Sequence, residues 1–153
     1  MMSGTIKIRE AQPGDVTALV RFNQEMARET EERELETELL TRGVEGIFEK
    51  PERGFYLIAE VGDQVAGSLM VTKEWSDWRN GDFWWIQSVY VEPEFRRRGV
   101  FRKLYEEARE RAMKTEDVCG CRLYVERDNS SAQAVYVQRG FQETPYRLFE
   151  DGF

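Results

Sequence analysis

Val89-Tyr90-Val91-Glu92-Pro93-Glu94-Phe95-Arg96-Arg97-Arg98-Gly99-Val100-Phe101-Arg102-Lys103-Leu104 is the stretch from which the rest of this 153-residue chain can be read. An apolar, β-branched run beginning at Trp84 reaches Val91 and is stopped by Glu92-Pro93-Glu94. From residue 99 to 114 the apolar positions Phe101, Leu104, Tyr105, Ala108 and Ala112 recur at three and four, which predicts an amphipathic helix. From Arg96 to Lys103, across the start of that helix, there are five basic residues, Arg96, Arg97, Arg98, Arg102 and Lys103, and no acidic one. That is the wrong sign for a helix start, because a helix N-terminus carries roughly +0.5 charge and each misplaced cation costs on the order of 0.3–1 kcal/mol. An anion would resolve the conflict. A strand-to-helix turn holding Gly99, with free backbone N–H groups and flanking arginines, suits a pyrophosphate; a solvated basic turn is the plainer alternative.

The surrounding chain is acidic. It has 22 Lys plus Arg against 29 Asp plus Glu, a net charge of −7, and no histidine. A general nucleic-acid or anionic-membrane binder is disfavoured by that charge. The missing histidine excludes Ser-His-Asp and Cys-His catalysis and the commonest metal ligand, so no metal site is expected. Hydrophobic residues make up 41% and charged residues 33%, a globular balance, and the length suits a single domain over residues 1–153. No apolar run approaches a membrane span, and Met1-Met2-Ser3-Gly4 leads into a charged strand, not a signal segment, which predicts a cytoplasmic protein. Cys119 and Cys121 are too close for a useful disulfide and read as reduced and structural.

Outward from the basic turn, alternation predicts a first strand at Thr5-Ile6-Lys7-Ile8-Arg9-Glu10, after which Pro13-Gly14-Asp15 opens a helix striped by Val16, Leu19, Val20, Phe22, Asn23 and Met26. Leu35, Leu39, Leu40 and Ile47 mark a second helix. Residues 55–61 and 65–71 read as a hairpin through Gly62-Asp63-Gln64, and residues 75–82 as a loop before the strand at Trp84. After the central helix come a strand at 122–126, a helix begun by Asn129-Ser130-Ser131-Ala132-Gln133 with capping-box spacing from Ser130 to Gln133, and a final strand at Tyr146-Arg147-Leu148-Phe149. The order β-α-α-β-β-β-α-β-α-β predicts an α/β fold with a mixed sheet flanked by about four helices.

Neither a Walker A sequence nor a Gly-x-Gly-x-x-Gly turn is present. Arg96-Arg97-Arg98-Gly99-Val100-Phe101 instead resembles the (Arg/Gln)-x-x-Gly-x-(Gly/Ala) acetyl-CoA motif of the GNAT superfamily of N-acetyltransferases. Asn129-Ser130-Ser131-Ala132-Gln133-Ala134-Val135-Tyr136-Val137-Gln138-Arg139-Gly140-Phe141 is similar to that family's Asn-x-x-Ala-x-x-x-Tyr-x-x-x-Gly-Phe. Phe101 departs from the first motif, which ends in a small residue. The resemblance implies a splayed mixed sheet, acetyl-CoA as acetyl donor, and direct transfer to a primary amine. It implies a cofactor role for Arg96, Arg97, Arg98, Gly99, Val100, Phe101 and Arg102, for the main chains of Val89 and Val91, and for Asn129 on the pantetheine arm. It places Tyr136 near the thioester sulfur as proton donor.

The acceptor amine must lose a proton, since a lysine-like amine has a reference pKa of about 10.4. Where some family members carry a glutamate on the strand before the turn, this chain has Trp85, with Gln87 next on the same face. The base is then ordered water or one of Asp82, Glu74, Asp77, Glu25, Glu29 and Glu32. Residues 25–38 hold seven acids against Arg28 and Arg33, which reads either as a solvated helical face or, through Glu29 and Glu32, as an attractor for a cationic amine. Trp75, Trp78, Trp84 and Trp85 offer rings that stabilise ammonium by roughly 0.5–2 kcal/mol or simply pack. The expected acceptor is a small cationic amine; a protein N-terminus or lysine, and a non-catalytic acyl-CoA-binding module, stand as alternatives, and a homodimer stays open.

Overall fold

The computed structural model describes residues 4–153; Met1, Met2 and Ser3, part of the stretch read as carrying no signal segment, lie outside the described residues. The chain divides into two compact units, one ending at Leu123 and one running from Tyr124 to Phe153. The first holds a five-stranded sheet in the order β1-β2-β3-β4-β5. Its strands are β1 (Ile6–Glu10), β2 (Gly54–Val61), β3 (Gln64–Ser76), β4 (Gly81–Val91) and β5 (Val118–Arg122). Its helices are α1 (Val16–Glu31), α2 (Thr37–Glu49) and α3 (Val100–Lys114). The first four strands pair antiparallel and β4 pairs parallel with β5, so the mixed sheet expected from the hairpin and crossover helix is present.

Alternation along the strands assigns the two faces. Tyr56 and Ile58 of β2 pack with Leu19 and Val20 of α1 and with Val44 and Ile47 of α2, and Met70 of β3 joins them. On the opposite face Gly67 of β3 lies against Val100 of α3, and Arg111 of α3 stacks over Phe55. Leu57, Leu69, Val71 and Leu104 are fully buried. A Cβ on Gly67 would sit 2.6 Å from the Tyr90 carbonyl oxygen, so only glycine allows β3 and β4 to approach there.

Several boundaries differ from the sequence reading. The hairpin loop read at 75–82 is a tight turn, because β3 extends to Ser76 and β4 starts at Gly81. The strand expected at 122–126 is centred four residues earlier, where Gly120 fits beneath the Phe83 ring and the stretch pairs with β4. The strand expected at 146–149 is not formed: no described residue after Arg122 joins the sheet, and Tyr146, Leu148 and Phe149 are exposed. That run has strand composition, but a strand also needs an edge to pair with, which composition does not supply.

The second unit contains α4 (Ser130–Gln138). Its N-cap is Asn129, whose side chain accepts from the Ala132 N–H at 3.2 Å, and not Ser130. Gln133 turns back to donate to the carbonyls of Glu126 and Arg127.

Candidate active site

β4 is bent where the acyl donor is expected. Ser68 faces Tyr90 and Met70 faces Gln87, so Leu69 alone opposes both Ser88 and Val89, a bulge with Ser88 in the left-handed region at φ 50°. On its other side β4 pairs with β5 only as far as Trp85 and Arg122. Residues 86–91 therefore present a sheet edge without a β5 partner, which is the splay the resemblance implied. A free edge of this kind can hydrogen-bond an extended amide-bearing ligand as an added strand. Val89 and Val91 lie on it, although the Val91 carbonyl already accepts from Arg96 Nε at 2.8 Å.

The chain leaves that edge through a single 3-10 turn at Pro93–Phe95, with Phe95 only 1% exposed. Arg97 and Gly99 then adopt left-handed φ values of 65° and 83°. Such a pair of reversals turns successive N–H groups towards one concavity, and the first turn of α3 adds N–H groups with no intrahelical acceptor. No side chain caps this helix and its first turn holds no acid. Arg97, Arg98 and Lys103 are exposed and make no ion pair among the described residues, and Arg102 reaches Glu106 only at 3.9 Å. Unengaged N–H donors and unpaired cations fit a diphosphate, so the residues of this turn suit the phosphate end of a CoA ester. Phe101, the departure from the motif, is half-buried with its ring stacked on Tyr105 at 6.2 Å, while Val100 is buried.

Arg96 is used differently from its neighbours. Its Nη2 donates to both carboxylate oxygens of Glu29 at 3.1 and 2.9 Å, and its guanidinium lies over the Tyr90 ring. Glu32, the other acid singled out in this run, is the exposed C-cap of α1 in a left-handed conformation.

The tryptophans do not form one group. Trp84 is 4% exposed and edge-on to Phe55, on the face covered by α3. Trp85 and Gln87 share the opposite face with Met70 and Thr72, and Gln87 Nε2 donates to Thr72 Oγ1. Trp75, near the end of β3, and Trp78, in the β3–β4 turn, are 59% and 86% exposed. Asp82 alternates onto the Trp84 side, whereas Glu74 lies on the Trp85 side and reaches its indole. Glu74 Oε1 accepts from Trp85 Nε1 and from Arg122 at 3.0 Å each. The Arg122 guanidinium is stacked 3.6 Å from the Phe83 ring centre, an aromatic support that motif reading did not reveal. Glu25 is bound by Arg28 at 2.7 Å.

In the second unit the Tyr136 ring meets Phe141 edge-on at 6.0 Å, and the Tyr136 carbonyl accepts from the N–H groups of Arg139 and Phe141. Burial pushes the Tyr136 phenol above its ordinary value, which keeps it protonated at neutral pH and able to donate. Burial also raises the Cys121 thiol, the opposite of what an activated nucleophile needs. Among the described residues no cluster of His, Cys, Asp or Glu could hold a metal ion, and no helix is long and apolar enough to cross a membrane.

The family model of the Acetyltransferase (GNAT) family matches residues 16–141. Among solved structures, a "possible acetyltransferase" from Clostridium difficile 630 is 42% identical, with 97% of each chain covered and a TM-score of 0.90. A "predicted acetyltransferase with acetyl-CoA" from Clostridium acetobutylicum is 22% identical, with 96% of each chain covered and a TM-score of 0.73. Glucosamine-6-phosphate N-acetyltransferase from Arabidopsis thaliana is 18% identical over 96% of this chain and 98% of its own, with a TM-score of 0.74. The last two likenesses concern the fold. No curated protein sequence matches the chain. With the family model spanning the bulged strand, the basic turn and both sequence motifs, the chain belongs to the GNAT family of acetyltransferases, whose acetyl donor is acetyl-CoA.

Proposed function

We propose that residues 1–153 act as one N-acetyltransferase domain that takes acetyl-CoA and acetylates a small cationic primary amine directly. The observation that carries this reading is the continuity of the unpaired β4 edge at 86–91 with the left-handed turn at Arg97 and Gly99 and the uncapped, acid-free start of α3. Arg97, Arg98, Arg102 and the N–H groups from Gly99 to Arg102 hold the diphosphate, and the main chains of Val89 and Val91 hold the pantetheine amides. Asn129, the cap of α4, is assigned to the pantetheine arm on the motif resemblance alone.

The acceptor nitrogen attacks the thioester carbonyl, a C–N bond forms, the C–S bond breaks and the thiolate departs. Tyr136 Oη supplies the proton that thiolate takes up, a role suited to a phenol kept neutral by burial. The proton of the acceptor passes to ordered water or to Glu74, the carboxylate beside Trp85. Gln87 and Trp85 border the acceptor on the face that also carries Glu74, whereas Trp75, opposite Asp82, lies with Trp84 on the other face and takes no part.

The absence of a carboxylate among the β4 residues on the Trp85–Gln87 face supports a second reading, an acyl-CoA-binding module without turnover. The two separate in one experiment. Thiol release from acetyl-CoA is followed over a panel of monoamines, diamines, polyamines and lysine or N-terminal peptides, alongside calorimetric binding of CoA. Release stimulated by small diamines or polyamines above peptides supports the proposal. Tight CoA binding with no stimulated release for any acceptor supports the module.

A further inference from the structure

Two ion pairs of crossed polarity join α1 to the connection between β4 and α3, Arg21–Glu92 through two guanidinium nitrogens and Arg96–Glu29 through Nη2 alone. Arg21 donates to Glu92 at 2.7 and 3.3 Å, and Glu29 accepts from Arg96 at 2.9 and 3.1 Å. On α1 the two members are eight residues apart (29 − 21), about 12 Å along the axis. On the connection they bracket Phe95, which is 1% exposed. Tyr90 lies between the pairs, its ring 5.1 Å from that of Phe22 on α1 and beneath the Arg96 guanidinium. One pair runs from α1 cation to turn anion and the other the reverse, so α1 is tied to both ends of the connection by contacts of opposite sign.

The residue that follows this clamp is Arg97 at φ 65°, a left-handed non-glycine, which persists only when its surroundings over-determine it. We propose that Glu29 and Arg21 are positioning residues for the donor site: through Arg96 and Glu92 they hold the turn in the conformation that aims its N–H groups at the diphosphate. This rests on the acetyl-CoA reading given above, and it assigns Glu29 to the donor rather than to the acceptor. Arg96 is correspondingly a strut, its guanidinium engaged by Glu29, Tyr90 and the Val91 carbonyl, and the phosphate is left to Arg97, Arg98 and Arg102.

The test is calorimetric binding of CoA to the full chain, with steady-state constants for both substrates on the best amine of the panel. Glu29→Gln is expected to weaken CoA binding about fivefold and raise the acetyl-CoA KM to match, with kcat and the amine KM within about twofold. Glu29→Arg is expected to weaken it about tenfold, and Glu29→Arg with Arg96→Glu to recover more than half of that loss on a logarithmic scale. Melting temperatures should stay within about 2 °C, which separates positioning from unfolding. Unchanged CoA binding in Glu29→Gln, or a rise confined to the amine KM, overturns the clamp while leaving the acetyltransferase reading intact. Wild-type protein that fails to bind CoA overturns that reading, and this inference with it.

Discussion

The acidic run at residues 25–38 and the basic turn at residues 96–103 carry net charges of −5 and +5, yet the fold treats them differently. In the acidic run the charges are largely consumed by structure. Arg28 binds Glu25 and Glu34, Glu29 binds Arg96, and Glu36 caps α2 by accepting from the Leu39 N–H at 2.7 Å. In the basic turn Arg97, Arg98 and Lys103 have no ion pair among the described residues, and they stand beside backbone N–H groups that the helix cannot satisfy. A run of charge marks a ligand when its members are left unpaired where the backbone points the same way. Otherwise it marks local structure.

The largest effect expected lies outside both regions and concerns chemistry alone. Tyr136→Phe should lower kcat about 100-fold with the acetyl-CoA KM nearly unchanged, as removal of a general acid does. Because burial raises the phenol, the donor stays protonated through neutral pH, and the alkaline fall of wild-type kcat should lie above pH 10, the ordinary tyrosine value. A wild-type fall centred near pH 8 would remove Tyr136 from the donor role. Next in size, Arg97→Ala with Arg98→Ala should raise the acetyl-CoA KM about tenfold or more, and should flatten the dependence of CoA affinity on salt. If the double variant leaves both unchanged, the turn is solvated and the contrast with the acidic run disappears.

Removing charge from the acidic run should instead cost stability. Glu36→Ala deletes the α2 N-cap and should lower the unfolding free energy by about 1 kcal/mol in denaturant titration, with steady-state constants unaltered. Smallest is a pair that belongs to neither region and calibrates what a partly shielded ion pair contributes. Arg9 holds the Asp15 carboxyl below its reference of 3.8 through two hydrogen bonds at 2.8 and 2.9 Å. A depressed carboxylate stabilises above its unfolded value and loses that contribution as pH falls through the folded one. Asp15→Asn should thus be less stable by about 0.5 kcal/mol at pH 7, with the gap closing below about pH 4.

Local pattern carried most of the fold. The hairpin at 55–71, the α1 stripe and the α3 repeat were legible because each is written in a period of its own element. β5 was displaced because Cys119-Gly120-Cys121 lacks strand composition and is held by parallel pairing to β4 and by the space under Phe83. The run at 146–149 erred in the other direction, with strand composition but no sheet partner. In the site, the start of α3 was legible through its helical repeat and its unopposed positive charge, and the start of α4 to within one residue of its cap. The Ser88 bulge was not, since it arises from register between strands. Nor were the separation of Trp84 from Trp85 or the use of Glu29 by Arg96, a contact spanning 67 residues. Charge density left Glu29 between a solvated helical face and an attractor for a cationic amine; the structure pairs it with Arg96.

The most direct test of the account is incubation of the full chain with acetyl-CoA and a small diamine or polyamine, with thiol release and acetylated amine quantified together by absorbance and mass spectrometry. The account predicts release that depends on the amine and equals the acetylated product mole for mole, and that falls about tenfold or more in the Arg97→Ala, Arg98→Ala protein at subsaturating acetyl-CoA. Acetyl-CoA that binds while no amine or peptide is acetylated above the enzyme-free rate would contradict it.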